Sequence, residues 1–323
     1  MWVPLLVLIF GLVTLVWSAD RFLSGAASAA GHLGVSKMLI GLTVVSLGTS
    51  APEILVALTA AIEGNPLLAV GNAIGSNIAN IGLVLGITAM IAPLPFSSGV
   101  LRKELPWLLS ATLLALWLLF DLQLTRLDGV ILLTAMGLIM YRLVKTQQAT
   151  TEGVSVSIEE ELDELQALNR RKAVFWLVAG LILLLASAEM LVWAATRIAE
   201  WLGVSEMVIG LTVVAVGTSL PELAATVGAA IKGHSDIAIG NVVGSNILNI
   251  LVVLAVPALV SEPVIDSVAL WRDCGMMLAL TLALALFAYA VGSQRVITRF
   301  EGAVILLGWV GYNYVLFQQV QLS

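Results

Sequence analysis

Gly41-Leu-Thr-Val-Val-Ser-Leu-Gly-Thr-Ser-Ala-Pro-Glu53 recurs as Gly210-Leu-Thr-Val-Val-Ala-Val-Gly-Thr-Ser-Leu-Pro-Glu222, with 10 of 13 positions identical. A second stretch, Ala69-Val-Gly-Asn-Ala-Ile-Gly-Ser-Asn-Ile-Ala-Asn-Ile81, recurs as Ala238-Ile-Gly-Asn-Val-Val-Gly-Ser-Asn-Ile-Leu-Asn-Ile250, with 9 of 13 identical. Both pairs share one offset of 169 residues, and the register extends upstream to Gly34-Val-Ser and Gly203-Val-Ser, and to Asp20 and Glu189. The chain therefore reads as a duplication, residues 1–146 and 172–323, joined by a linker at 147–171. Duplication kept for packing alone would preserve size and apolarity. The matched positions are instead Thr, Ser, Glu and Asn, residues that a lipid-embedded helix avoids.

Composition places the duplicate in a membrane. Of the 323 residues, 60% are apolar and 11% charged, where a soluble chain carries about a quarter of its residues as charge. Hydropathy yields ten candidate spans: 2–24, 36–62, 66–92, 105–122, 126–146, 172–197, 205–231, 235–260, 268–291 and 297–318. Runs near twenty apolar residues suit a hydrocarbon core about 30 Å thick. Lipid permits helices or closed barrels, and unbroken apolar runs such as Ala173 to Leu185 lack the alternation of barrel strands. The fold class is thus an all-α polytopic membrane protein. The N-terminus lacks the basic stretch of a secretory signal, so 2–24 reads as a retained span.

Each copy holds five spans. Five is odd, so the second copy enters the membrane from the opposite side: two inverted five-helix repeats, with a substrate site expected at the midplane. Loops after odd-numbered spans hold twelve Lys and Arg residues and loops after even-numbered spans hold three, Arg126, Arg197 and Arg272. The positive-inside rule then sets both termini outside and the 147–171 loop in the cytoplasm. The net charge of −6 comes largely from that loop (Glu159, Glu160, Glu161, Asp163, Glu164) and gives no sign of a nucleic-acid partner. The loop reads as a solvated linker whose 157–169 segment can form a short surface helix. Asp20 and Glu189 fall near span ends and read as interfacial, gating or structural groups. One cysteine, Cys274, excludes an internal disulfide framework and a thiolate metal site.

Glu53 and Glu222 fall mid-span, and no Lys, Arg or His lies near the centre of any span. A charge at that depth costs about 2.5–3.5 kcal/mol on insertion scales, so each carboxylate needs a proton or a bound cation. Proline at 52 and 221 removes a backbone donor and disfavours helix before it. The span should break there, with Thr49 or Ser50 capping a half-helix that starts near Pro52. Such a break frees carbonyls around Ser46 and Ala215. On the next span, Asn72, Ser76 and Asn80 share one helical face, as do Asn241, Ser245 and Asn249. The centre thus offers carboxylate, hydroxyl, amide and carbonyl oxygens, with no sulfur and no imidazole. Such a set favours a hard cation, and calcium takes about six to eight oxygens. Two carboxylates balance one divalent ion, so its departure requires monovalent cations or protons to replace it. Hydrolysis at Ser50 or Ser219 lacks a base, because His32 and His234 lie at span ends and neither repeats at the offset. A passive channel is the remaining alternative.

The paired Gly-Thr-Ser-X-Pro-Glu and Gly-Ser-Asn-Ile-X-Asn motifs resemble the two alpha-repeats of the calcium/cation antiporter superfamily, nearest its prokaryotic sodium/calcium exchanger branch. The resemblance spans the whole chain. It implies exchange of calcium for sodium, with calcium/proton antiport as the alternative, and no cofactor beyond the transported ions. It implies Glu53 and Glu222 as central ligands, Thr49, Ser50, Thr218 and Ser219 as hydroxyl or carbonyl ligands, and Ser76 and Ser245 as further hydroxyls. Ser46 and Ala215 would offer backbone carbonyls, and Asn80 and Asn249 would complete the middle. Some relatives carry Asp at the last two positions. Asn at both leaves two acids, which argues against potassium dependence. The first and sixth helices, 2–24 and 172–197, would slide against the core of a monomer in a cell inner membrane.

Overall fold

The computed structural model describes residues 2–33, 41–96, 104–151, 168–201, 215–267, 270–289 and 296–322. Helix α1 is Trp2–Leu33. The first repeated motif forms α2 (Gly41–Thr49) and α3 (Ala51–Ile62), which meet at a 51° bend. Helix α4 is Pro66–Ile91, followed by α5 (Leu105–Leu118) and α6 (Arg126–Thr151). The second half contains α7 (Arg170–Trp201), α8 (Ala215–Thr218), α9 (Leu220–Ile231), α10 (Ser235–Ser261), α11 (Leu270–Tyr289) and α12 (Arg299–Leu322). Among the described residues, six helices are long and apolar enough to cross a membrane, or seven if the bent α2–α3 pair is one span. Part of the 205–231 span, the upstream Gly-Val-Ser pair and most of the 157–169 segment lie outside the described residues.

One boundary differs from expectation. Helix α1 runs past its expected end at residue 24, to Leu33. Its charged residues are partnered: the Arg21 guanidinium stacks over Trp17 and Trp176, at 5.7 and 5.2 Å from the ring centroids, and Asp20 pairs with Lys232. Partnered side chains of this kind do not interrupt a helix. The all-α expectation is relaxed by one two-residue ladder, Leu94↔Ile297 and Pro95↔Val296.

Helices α4 and α10 form the centre, with 78% and 83% of their apolar windows buried, against 22% for α1 and 28% for α7. The peripheral pair packs backbone to backbone. A Cβ on Gly25 would lie 2.4 Å from the Leu177 nitrogen, and one on Gly180 would lie 2.6 Å from the Phe22 nitrogen. Small residues permit such approach between membrane helices.

The halves interlock through equivalent contacts. The segment after α4 pairs with the one before α12 (the ladder above), and Gln123, before α6, bridges Val264, after α10. Gly86 of α4 meets Gly302 of α12, while Gly129 of α6 meets Leu259 of α10. The duplication also shows in the backbone. The two post-motif turns carry Gly64 and Gly233, 169 residues apart, at φ +82° and +77°, where a side chain is strained.

Gly180→Leu should therefore lower the melting temperature of the detergent-solubilised protein, whereas Gly137→Ala, with nothing within 4 Å of the added carbon, should leave it nearly unchanged. Forcing a side chain into a tight contact costs about 1–3 kcal/mol. Thermal gel-filtration profiles of the two variants check this.

Candidate cation site

Each glutamate sits in the first turn of a helix that restarts at a proline. Ser50 leaves helical geometry at φ −84°, ψ 8°, and Pro52 and Glu53 open α3. Ser219 repeats the break at φ −88°, ψ 2°, ahead of Pro221 and Glu222 in α9. Both carboxyl groups are fully buried. The N-terminus of a helix carries partial positive charge that favours an anion, yet it does not replace a counter-ion in a dry interior.

Ser50 and Ser219 hold the cap position, but neither side chain makes the expected cap bond. The Ser50 hydroxyl reaches across to the other half. It donates to Glu222 Oε1 at 3.0 Å and meets Ser245 Oγ at 2.9 Å. Thr49 Oγ1 likewise bonds Asn241 Oδ1 at 3.1 Å. The cap is given up because these hydroxyls join the two repeats. The expectation of a freed Ser46 carbonyl is also corrected. That oxygen accepts the Ser50 N–H at 2.9 Å and contacts Thr49 Oγ1 at 3.4 Å, because the helix continues to Thr49 before it breaks. A carbonyl has two lone pairs, and geometry then decides whether one serves an ion.

Asn72 and Asn241 tie the wall of the site to the broken helices. Asn72 Nδ2 donates to the Glu53 carbonyl at 3.1 Å, and Asn241 Nδ2 donates to Thr226 Oγ1 at 2.9 Å and to the Glu222 carbonyl at 3.5 Å. Ser76, Ser245, Asn80 and Asn249 are buried. Asn80 and Asn249 each start a π-helical turn, Asn80–Leu85 and Asn249–Val253. Such turns are rare and gather at functional sites. Thr218 ends α8, which Ala215 begins.

The decisive feature is what these groups lack. Both carboxylate oxygens of Glu53, Oε2 of Glu222, the amide oxygens of Asn80 and Asn249, and the Ser219 hydroxyl are buried and have no hydrogen-bond partner among the described residues. A buried polar group without a partner costs about 1–3 kcal/mol, more if charged. Oxygens of this kind on both halves fit a hard cation. Among the described residues no three His, Cys, Asp or Glu side chains form a cluster, so neutral oxygens must complete any coordination shell.

Asn77 and Asn246 were passed over in the sequence. Each is buried, and the Oδ1 of both and the Nδ2 of Asn246 have no partner among the described residues. Their signal was present: they are identical at the repeat offset, like Asn80 and Asn249, but lie off the face drawn through every fourth residue. Thr226, the partner of Asn241, has no such signal, since residue 57 is alanine.

Broken apolar helices that bring two carboxylates together define a membrane protein built to handle cations. Comparison with known proteins gives the family: the model for "Sodium/calcium exchanger protein" matches residues 3–145 and 172–318, and the chain belongs to this family. A putative antiporter, CaxA of Alkalimonas amylolytica, is 45% identical over 98% of this chain and 99% of its own length. The inner membrane protein YrbG of Escherichia coli is 41% identical over 96% and 95%. Among solved structures, the sodium-calcium exchanger NCX_Mj soaked with zero Na+ and Ca2+ superposes with a TM-score of 0.80 at 32% identity, covering 97% of this chain and 98% of that one.

Ser50→Ala should weaken calcium binding roughly 5- to 30-fold, because the hydroxyl that orders Glu222 and Ser245 is lost, a cost of about 1–2 kcal/mol. Isothermal titration of the purified variant measures it.

Proposed function

We propose that this chain is a secondary antiporter that exchanges calcium for sodium across a cell inner membrane by alternating access. The observation that carries the reading is the set of partnerless buried oxygens around Glu53 and Glu222. Two carboxylates neutralise one calcium ion, and neutral oxygens from Thr49, Ser50, Thr218, Ser219, Ser76, Ser245, Asn80, Asn249, Ser46 and Ala215 are the pool that completes its shell. Calcium tolerates a flexible shell of about six to eight oxygens. Once calcium leaves, the same carboxylates again need positive charge, and the surplus neutral oxygens suit sodium better than a bare proton. Family membership and the similarity to NCX_Mj, a sodium-calcium exchanger, support this cargo, and the similarity to the putative antiporter CaxA supports antiport.

Ten helices in two inverted five-helix repeats remain the topology that best accounts for the duplication, with both termini outside and 147–171 cytoplasmic. Glycine lets α2 press against α10: a Cβ on Gly244 would lie 2.6 Å from the Leu42 carbonyl, and one on Gly41 would lie 2.9 Å from that of Ile237. Residues 210–214, the repeat mates of 41–45, lie outside the described residues. A monomer in the bilayer is the functional unit of this proposal, with no cofactor and no nucleic-acid partner.

Reconstitution in proteoliposomes tests the coupling. An outward sodium gradient should drive calcium uptake, and Glu53→Gln and Glu222→Gln should each abolish it while the protein still inserts and elutes as a folded particle. Uptake driven by a proton gradient and indifferent to sodium would replace this reading with calcium/proton antiport. Flux independent of any trans ion would indicate a channel.

A further inference from the structure

We infer that Thr226 is a positioning residue for the cation site: through the Asn241 amide it keeps the hydroxyl hydrogen of Thr49 turned away from the ion. The inference rests on the reading of Thr49 as a cation ligand given above.

Three fully buried side chains form a chain that crosses from one repeat to the other. Thr226 lies one turn beyond Glu222 on α9, so the two share a helical face. Its Oγ1 accepts a hydrogen from Asn241 Nδ2 at 2.9 Å. The same nitrogen reaches the Glu222 carbonyl at 3.5 Å, the outer limit of a hydrogen bond. At the other end of the amide, Asn241 Oδ1 accepts from Thr49 Oγ1 at 3.1 Å. Helices α9, α10 and α2 are thus joined by one line of hydrogen bonds.

The chemistry of a hydroxyl ligand gives this line a function. A threonine hydroxyl has one hydrogen and two lone pairs. To ligate a cation it must offer a lone pair, and its hydrogen must go to an acceptor away from the ion. Asn241 Oδ1 is that acceptor as long as it faces Thr49. The Glu222 carbonyl can only accept, so it sets nitrogen on the α9 side of the amide and oxygen on the Thr49 side. At 3.5 Å it does not hold the amide in place. The shorter bond to Thr226 does.

The first repeat shows the same asparagine without this hydroxyl. The residue equivalent to Thr226 is Ala57. There Asn72, the mate of Asn241, donates to the Glu53 carbonyl at 3.1 Å. Thr226 therefore competes with the Glu222 carbonyl for the Asn241 nitrogen. Removing its hydroxyl lets that nitrogen close on the carbonyl, as in the first repeat, and carries Oδ1 away from Thr49. The Thr49 hydrogen then turns to the Ser46 carbonyl, 3.4 Å away, and occupies a lone pair that the site would offer an ion. One bond lost outside the coordination shell weakens two ligands inside it.

Thr226→Val keeps the shape of the side chain and removes the hydroxyl. It should weaken calcium binding about 3- to 10-fold, the effect of losing one such hydrogen bond, as read by isothermal titration of the purified protein. Thr226→Ala, which copies the first repeat, should do the same, and Thr226→Ser should recover most of the affinity. Thr49→Val should weaken binding by itself, and adding Thr226→Val to it should weaken binding no further, because both act through one hydroxyl. That pattern supports the assignment, whichever ion proves to be the counter-ion. Unchanged affinity in Thr226→Val and Thr226→Ala, a loss that serine does not reverse, or losses that add in the double variant would overturn it, and weak binding by Thr49→Val would then leave Thr49 standing as a ligand. Unchanged binding by Thr49→Val would overturn the inference together with the reading of Thr49 on which it rests.

Discussion

Two carboxyl groups without a basic partner, buried among apolar helices, set the terms for the rest of this molecule. A chain that is 60% apolar has little means of paying for such groups. The cost of an ionisable group at bilayer depth is several kcal/mol even on the mildest scales. Glu53 and Glu222 are fully buried all the same, one with both oxygens and the other with one oxygen unpartnered among the described residues. The surrounding architecture follows as the means of bringing a cation to them and taking it away.

The helix breaks are the first consequence. Each proline interrupts its span where the glutamate must face the other repeat, and the Ser50 hydroxyl leaves its own helix end to reach Glu222 and Ser245. The π-helical turns at Asn80 and Asn249 are the second, since they re-aim polar side chains without ending a span. Glycine is the third. Gly244 lets α2 lie on α10, and Gly25 and Gly180 let α1 lie on α7.

Much of this was legible in the residues. The 169-residue offset located both glutamates, the breaks after Ser50 and Ser219, and the wall of Ser and Asn on the next helix. Those features are local or are repeated within the chain, so pattern alone exposes them. Other features were hidden because they depend on the opposite half. Nothing in the order of residues tells that Ser50 will forgo its cap for Glu222, or that the Ser46 carbonyl will be engaged by the Ser50 N–H. The continuation of α1 from residue 24 to Leu33 was hidden because it packs on α7 of the other half, where a Cβ on Gly25 would meet the Leu177 nitrogen. Asn77 and Asn246 were missed because helical-face spacing was weighted above identity between the repeats.

The claim on which the account turns is that Glu53 and Glu222 hold one divalent cation between them. Anomalous diffraction from crystals soaked in strontium addresses it directly, because strontium is a calcium-like ion that can be located by its own scattering. A single strong peak bounded by both carboxylates and by oxygens of the Ser76 and Ser245 helices is the result expected. A peak elsewhere, or none between the two glutamates at saturating strontium, would contradict it.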